Sequence, residues 1–160
     1  MEPVKENRDL MRMVGNWRVT VLIHVPGKES LAGEGTVTSQ RISLGNGVHS
    51  VMKVKLVGVG PYEEHELWAY DPSEKKMHFY SVSSTGAVRD HVGTWTGDDT
   101  LEFEWNGHYE DKVANGRILM KWQSPTEITM NETLKSEGEI LQLLSFKLKK
   151  EMSSPSQFRH

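Results

Sequence analysis

Apolar and polar residues alternate along most of this chain with a period of two. The alternation is clearest over residues 15–25, where one side carries only apolar side chains: Trp17, Val19, Val21, Ile23 and Val25. The opposite side of the same segment carries Arg18, Thr20 and His24. Because successive side chains of a strand point to opposite faces, a period of two is typical of a half-buried β-strand. The segment therefore predicts a first strand with one face in the core.

Nine further segments repeat this format, separated by short turns rich in Gly, Pro, Asn and Asp. The predicted strands cover residues 33–43, 48–57, 62–70, 76–83, 88–95, 101–105, 117–123, 128–135 and 140–149. A looser stretch spans 106–116. Strands spaced by roughly 8–12 residues with hairpin-length turns predict an antiparallel meander. The one predicted helix covers residues 4–13, between Pro3 and Gly15, and is expected to lie across one end of the strands.

A meander of about ten strands must protect its two edges, and closing into a barrel removes both. A two-sheet sandwich is the alternative, but the absence of long crossover connections favours the barrel. Ten strands enclose more space than side chains alone fill, which predicts a cavity. The predicted fold class is therefore all-β, a single up-and-down antiparallel barrel with a short N-terminal capping helix. This domain is expected to span residues 1–152, followed by a disordered tail at 153–160.

Composition narrows the classes of function. The chain has 160 residues, a net charge of -3 and no cysteine, which excludes a disulfide framework, a thiol nucleophile and a zinc–thiolate site. Acids and bases are interspersed without a basic stripe, so no nucleic-acid partner is expected. No apolar run approaches the roughly 20 residues of a membrane span, and no membrane partner is expected. We expect a cytoplasmic protein without a cofactor, and a homodimer is compatible with the sequence.

Several short motifs occur in a characteristic order: Gly15-Asn16-Trp17, Gly33-x-Gly35, Arg41-x-x-Leu44-Gly45, Ala69-Tyr70-Asp71-Pro72 and a final strand ending in Lys149-Lys150. With these motifs the chain resembles the DUF1579 family of lipocalin-like (calycin) barrels over about residues 5–150. The resemblance implies a ten-stranded barrel with a central cavity and no established common activity. Nitrobindin-like haem barrels share the architecture. Their haem-ligating histidine near the C-terminal strands has no counterpart here, since His160 is the only histidine after His108.

Pairing across the turns predicts which side chains face the cavity, because directly opposed residues of antiparallel strands share a face. A two-residue turn at Asn46-Gly47 pairs Arg41 with Met52, and a four-residue loop at 84–87 pairs Ser81 with Asp90. A three-residue loop at 136–138 pairs Glu132 with Gln142. The polar residues predicted to face inward are Ser39, Arg41, Ser81, Asp90, Glu132 and Gln142. Two registers are open for the strand at 62–70. The favoured one points Glu64, Glu66 and Trp68 inward, and the other points His65, Leu67 and Ala69 inward.

The resulting interior is apolar with a few charged groups, which predicts a site for a small hydrophobic molecule. Arg41 is the candidate for binding a carboxylate or hydroxyl of that ligand, in the forked geometry that guanidinium suits. The other candidate ligand-binding residues are Met52, Glu66, Trp68, Phe79, Phe103, Trp105, Met120, Trp122, Met130 and Gln142. A structural ion pair of Arg41 with Asp90 or Glu132 is the alternative explanation for these charges.

Two further hypotheses concern chemistry in the cavity. A cofactor-independent enzyme, such as a cyclase, isomerase or lyase, would use Asp90 or Glu132 as a desolvated acid or base. Haem binding is the third hypothesis, because the chain contains seven histidines. No two histidines have metal-ligand spacing, so we expect surface histidines and no metal site. His65, His78 and His91 would converge only if several strand registers shifted together.

Overall fold

The computed structural model describes residues 2–152, and these form a closed barrel of ten antiparallel strands. The strands are β1 (Gly15–His24), β2 (Leu31–Ile42), β3 (Gly47–Leu56), β4 (Gly60–Asp71), β5 (Lys76–Ser83), β6 (Val88–Gly97), β7 (Thr100–Tyr109), β8 (Lys112–Ser124), β9 (Glu127–Ser136) and β10 (Glu139–Lys150). Each strand pairs with its neighbours in sequence, and β1 pairs with β10 to close the barrel. The predicted fold class is confirmed. The predicted tail at 153–160 lies outside the described residues.

The alternating pattern of the sequence becomes an alternation between interior and exterior. In β8, every second residue from Ala114 to Trp122 is buried, and the residues between them are exposed. Closing a ten-stranded sheet directs all such apolar faces toward one axis, so a single core forms along it. Large side chains such as Trp17, Met77 and Leu101 fill one end of this core completely.

The N-terminal segment covers that end of the barrel. It consists of helix α1 (Lys5–Leu10) and a following 3-10 turn, within the helix predicted at 4–13. Leu10 is fully buried among the core side chains. Asn7 accepts a hydrogen bond from the Tyr70 backbone N–H at 3.0 Å, and Trp17 Nε1 donates to the Met13 carbonyl at 2.7 Å. These contacts attach the short helix to the ends of β1 and β4. Among residues 2–152, no helix has the length and hydropathy needed to cross a membrane.

Arg12 joins the N-terminal segment to the opposite side of the same end. Its guanidinium lies 4.5 Å from the centre of the Trp122 ring and 5.5 Å from that of Trp95. It also donates to the Asp99 carboxylate at 2.6 Å and to the Asp98 carbonyl at 2.7 Å, both in the β6–β7 turn. Cation–π and charge-assisted contacts therefore close the end of the barrel where the chain begins.

Two connections differ from the sequence-based expectation. The stretch 106–116 is regular: β7 and β8 continue to a two-residue turn in which Glu110 and Asp111 have φ of 46° and 65°. Such a turn usually carries Asn-Gly, so this sequence gave no signal for it. The second difference is a 3-10 turn at Ser43–Gly45, which replaces the hairpin predicted at Asn46-Gly47. It pairs Arg41 with Val48 instead of Met52.

Candidate functional site

The barrel interior contains a cavity of about 290 Å³. Ligand pockets in proteins usually measure about 300–1,000 Å³, so this one suits a compact molecule. Seven of the predicted ligand-binding residues line it: Met52, Glu66, Trp68, Phe79, Met120, Met130 and Gln142. The favoured register of β4 is the observed one, with Glu64, Glu66 and Trp68 facing inward. The binding role of these residues stays a prediction.

Three predicted residues are buried without lining the cavity. Phe103 lies edge-on to Phe79, with ring centres 4.9 Å apart, and supports the cavity wall from behind. Trp122 lies under Arg12 at the helix-covered end. Trp105 is only 2% exposed and reaches the cavity through a hydrogen bond to a neighbouring side chain. These aromatic rings therefore shape the site without bordering its free volume.

Arg41 does not line the cavity, which corrects the prediction that its side chain faces inward. Its guanidinium is exposed and donates to the Leu44 carbonyl at 2.7 Å, packed against Gly45. The alternation of β2 does place Arg41 on the inward side, since Val37 and Ser39 of the same parity are buried. However, β2 ends at Ile42, so Arg41 lies at the end of the barrel and its long side chain turns out to the 3-10 turn.

Asp90 points outward, which corrects its prediction as an inward-facing acid. Its carboxylate lies 3.1 Å from Nδ1 of His78 on the barrel surface. The cause is the β5–β6 turn, which has three residues, Ser84–Gly86, instead of four. A change of one residue inverts every side chain of a strand. Gly86 has φ of 85°, as the last residue of a three-residue hairpin loop commonly does.

As a consequence of this shorter turn, Arg89 and His91 face the cavity. His91 is 3% exposed and stacks on Phe79 with ring centres 3.7 Å apart. Its Nδ1 lies 3.1 Å from the Phe79 carbonyl, which fixes the tautomer with the proton on Nδ1. Nε2 on the far side of the ring therefore carries a lone pair, and no residue of 2–152 donates to it. Burial lowers the pKa of His91 to about 4, so the ring is neutral at pH 7.

Two carboxyl groups of β4, Glu64 and Glu66, form a carboxyl pair on one wall of the cavity. The Tyr62 hydroxyl donates to Glu64, and Trp68 Nε1 donates to Glu66 at 2.8 Å. Burial raises the pKa of Glu66 well above its usual range, and the proximity of Glu64 raises it further. The Trp68 hydrogen bond opposes this rise only in part. The Glu66 carboxyl therefore stays protonated at pH values at which an ordinary glutamate has already lost its proton.

A third carboxyl, Glu132 of β9, is held by an aromatic group on β7. Trp105 Nε1 donates to Glu132 at 2.9 Å, and the Arg89 guanidinium lies 4.1 Å from the centre of the Trp105 ring. The indole lies directly on Gly116, where a Cβ atom would be 2.0 Å from Nε1. Burial raises the pKa of Glu132, while Trp105 and Arg89 oppose the rise. Glycine at 116 is thus what allows the indole to reach the carboxyl.

Acidic side chains outnumber basic ones among the residues that line the cavity. Three carboxyl groups line it, against a single guanidinium on Arg89. Within residues 2–152, no Lys, Arg or His lies within ion-pair distance of Glu64, Glu66 or Glu132. All three residues are only partly exposed. A carboxyl group shielded from bulk water without a cation beside it favours its protonated form or the approach of a positive partner.

The other histidines considered as metal ligands lie on the outer surface of the barrel. His49 and His65 stack on the exterior of β3 and β4. Asp71, Glu74 and His78 bring their ligand atoms within 4.8 Å of one another on the surface. The Asp71 carboxylate already accepts hydrogen bonds from Ser73 and Glu74 within its own turn. We therefore do not assign a metal site to these three residues.

Replacing Glu66 by glutamine should change how stability depends on pH. A raised pKa in the folded state gives a stabilisation that is present below the unfolded value of about 4.5 and is lost as pH rises through the folded value. Glutamine resembles the protonated form at every pH. We therefore expect Glu66→Gln to match the parent near pH 4.5 and to exceed its free energy of unfolding at pH 8. Urea denaturation at both pH values measures this, and equal gains at both would contradict it.

Family comparison agrees with the architecture. The sequence pattern of the family described as "Protein of unknown function (DUF1579)" matches residues 2–150. The chain belongs to the DUF1579 family. This confirms the resemblance on which the sequence analysis relied. No curated protein matches this DUF1579 chain.

Solved structures share the fold of this DUF1579 member at low sequence identity. An S-type phycobiliprotein lyase from Guillardia theta has a TM-score of 0.67 at 13% identity, over 94% of this chain and 95% of that one. Rv2717c from M. tuberculosis has the same TM-score and identity, over 94% and 100%. A redesigned β-barrel bound to DFHBI has a TM-score of 0.51 at 15% identity, over 87% and 99%. At these identities the likeness concerns the fold.

Proposed function

We propose that this DUF1579 protein binds a small, largely apolar molecule inside its barrel. The observation that carries the proposal is the cavity of about 290 Å³, whose apolar walls are interrupted by three carboxyl groups. Filling such a space with a ligand removes apolar surface of both partners from water, worth about 0.8 kcal/mol for each methylene group buried. The few polar groups then fix the orientation of the ligand.

The side chains that line the cavity are of types that adapt to the shape of a ligand. Met52, Met120 and Met130 offer flexible thioether side chains, which adjust to ligands of different shape. Trp68 and Phe79 stack face to face at 4.1 Å and offer a rigid aromatic surface. The redesigned barrel bound to DFHBI adds support, because a barrel of similar fold binds a small molecule. A cytoplasmic location and a homodimer stay predictions.

Filling the cavity with a larger side chain should abolish binding. We expect 1-octanol to bind the parent protein in calorimetry, and Met130→Trp to weaken that binding by at least about tenfold because the indole occupies the ligand's space. The matched control is Leu119→Trp, since Leu119 lies on the outer face of β8 and is 43% exposed. Native mass spectrometry of the purified parent would, in addition, identify a ligand that co-purifies. Equal affinity in Met130→Trp and the parent would contradict the proposal.

A second candidate function is proton-transfer catalysis without a cofactor. One observation favours it: a neutral His91 with a free Nε2 faces the same cavity as Glu66, which retains a proton. A base and an acid in one desolvated space can isomerise or eliminate from an apolar carbonyl compound. Glu132 is the other carboxyl available, whereas Asp90 is outside. Turnover lost in both His91→Gln and Glu66→Gln, with the fold retained, would support this function over binding alone.

A further inference from the structure

Within residues 2–152, no Lys, Arg or His lies within ion-pair distance of the carboxyl pair of Glu64 and Glu66. We propose that this pair binds the protonated amine of an otherwise apolar ligand, so that the cavity is selective for hydrophobic amines. The inference rests on the proposed function, because it names the chemical class that the cavity takes. It also replaces the acid-bearing ligand that the sequence had suggested through Arg41.

The hydrogen bonds around the pair leave part of it free for a ligand. Tyr62 donates to Oε2 of Glu64, and Trp68 donates to Oε2 of Glu66. Protonated Glu66 also shares a hydrogen bond with Glu64. No nitrogen donor of residues 2–152 reaches Oε1 of either carboxyl. An ammonium group has three N–H donors and no acceptor, which matches two adjacent carboxyl oxygens. The neighbouring donors hold the carboxyl groups in place, and a ligand amine would supply the missing positive charge.

The groups that face the pair favour a cation over an anion. Glu132 adds a third carboxyl, and Tyr62 and Tyr109 are uncharged because burial raises the pKa of each hydroxyl. His91 is neutral, since burial lowers its pKa to about 4. Of residues 2–152, Arg89 is the one positive side chain that lines the cavity, and it already lies against the Trp105 ring. A carboxylate ligand would therefore face three acids and one engaged guanidinium.

A second observation points to a ligand at this depth of the cavity. His91 is 3% exposed, yet its Nε2 accepts no hydrogen bond from residues 2–152. Because Nδ1 faces the Phe79 carbonyl in the wall, Nε2 on the other side of the ring faces away from it. Nε2 is therefore free to accept a hydrogen bond from a ligand N–H in the cavity that His91 lines.

Binding an amine should be coupled to release of a proton. A bound ammonium stabilises the ionised form of Glu66, so Glu66 loses its proton when the ligand enters. The affinity for an amine should consequently rise with pH through the range in which Glu66 of the free protein loses its proton, while the amine itself stays protonated. An uncharged ligand of the same length needs no such ionisation. Its affinity should be flat or should fall over the same range.

Three probes of equal chain length separate these cases: n-octylamine, 1-octanol and octanoate. We expect calorimetry at pH 7.5 to show n-octylamine binding at least about tenfold more tightly than 1-octanol, and octanoate binding more weakly than either. Titrations in two buffers of different ionisation enthalpy should show protons released on binding of n-octylamine and none on binding of 1-octanol. Circular dichroism of each variant checks that the barrel is retained.

Glutamine variants connect the selectivity to the pair. Glu66→Gln and Glu64→Gln should each weaken n-octylamine binding about tenfold and leave 1-octanol within about threefold of the parent. Glu66→Gln should also remove the proton release. Glu34→Gln is the matched control, because Glu34 is exposed on the outer face of β2. Two variants are used so that failure of one to fold still leaves a test.

The possible results distinguish failure of the amine inference from failure of the ligand site itself. Binding of 1-octanol without preference for n-octylamine, or a preference that survives both glutamine variants, overturns the amine inference and leaves the ligand site intact. Tightest binding of octanoate, lost in Arg89→Gln, overturns it in favour of an acid. Binding of none of the three probes, together with no co-purified molecule, overturns the ligand site itself.

Discussion

Gly116→Ala is expected to lower the free energy of unfolding by about 3 kcal/mol or more, because its Cβ would occupy the space of a buried indole. A Cβ on Gly116 would lie 2.0 Å from Trp105 Nε1 and 2.6 Å from Cε2. These are atoms of a large, rigid ring that is 2% exposed. Strand pairing of β8 with β7 and β9 prevents the backbone from moving away. Trp105 must therefore leave its position.

Displacement of Trp105 would have a chemical consequence beyond stability. The hydrogen bond from Trp105 Nε1 to Glu132 would be lost, and so would the ring on which Arg89 lies. Glu132 would then lose the donor that opposes the rise of its pKa. The cavity of any Gly116→Ala protein that still folds should thus have a more strongly protonated third carboxyl.

Gly107→Ala is the matched control for this substitution. Gly107 also lies beside Trp105, but a Cβ there would be 3.5 Å from the ring, an ordinary contact distance. Its backbone is not in the left-handed region, so alanine adopts it without strain. We expect a change within about 1 kcal/mol. Urea denaturation followed by far-UV circular dichroism compares the two variants. Similar losses in both would show that Trp105 is not what requires glycine at 116.

Much of the fold could be predicted from the sequence because it depends on a pattern that many residues share. The period of two recurs in all ten strands, so a few misplaced residues do not hide it. The order of the strands also follows from turn length, since hairpin-length turns place consecutive strands side by side. Closure follows from the need to protect the two edge strands. The stretch 106–116 was missed because Glu110 and Asp111 lack the usual glycine of such a turn.

The candidate site was harder to predict because it depends on the length of single turns. In β9 and β10 the predicted pairing of Glu132 with Gln142 was wrong by two residues, since Glu132 pairs with Leu144. An even shift retains the face, so both residues still line the cavity. The β5–β6 turn differed by one residue, which exchanged Asp90 for Arg89 and His91 as inward residues.

Arg41 shows a second limit, which is position along the barrel axis. Parity gave its side of the strand, but no pattern in the sequence states how far a residue lies from the barrel end. A long guanidinium near an end reaches water instead of the cavity. The guanidinium of Arg41 does so and donates a hydrogen bond to the Leu44 carbonyl. The carboxyl pair was open to prediction, since the favoured register of β4 already pointed Glu64 and Glu66 inward.

His91 is expected to make the protein sensitive to acid. Its pKa is about 4 in the folded protein because of burial, whereas an unfolded chain has the ordinary histidine value of 6.5. Between these values the unfolded state binds more protons, so stability falls as pH falls. The contribution of neutral His91 is complete above pH 6.5 and is lost as pH falls through about 4. Its size is about 3 kcal/mol, at 1.36 kcal/mol for each pKa unit.

The difference between the parent and His91→Gln isolates this contribution. Glu66 acts in the opposite direction, because its raised pKa adds stability as pH falls, but it is present in both proteins and cancels. The parent should therefore lose about 3 kcal/mol relative to His91→Gln between pH 7 and pH 4 in urea denaturation. A difference that does not change with pH would show that His91 is charged or hydrated in the folded state.

His78→Gln is the control with the opposite sign. Burial lowers the pKa of His78, but its hydrogen bonds with Asp90 and Glu74 outweigh this and raise it overall. Its stabilisation is thus present below pH 6.5 and is lost as pH rises through the folded value. The parent should gain stability relative to His78→Gln as pH falls, by less than His91 loses, because His78 is partly exposed to solvent. Opposite slopes for two histidines on neighbouring strands would follow directly from the three-residue turn that directs one inward and pairs the other with Asp90.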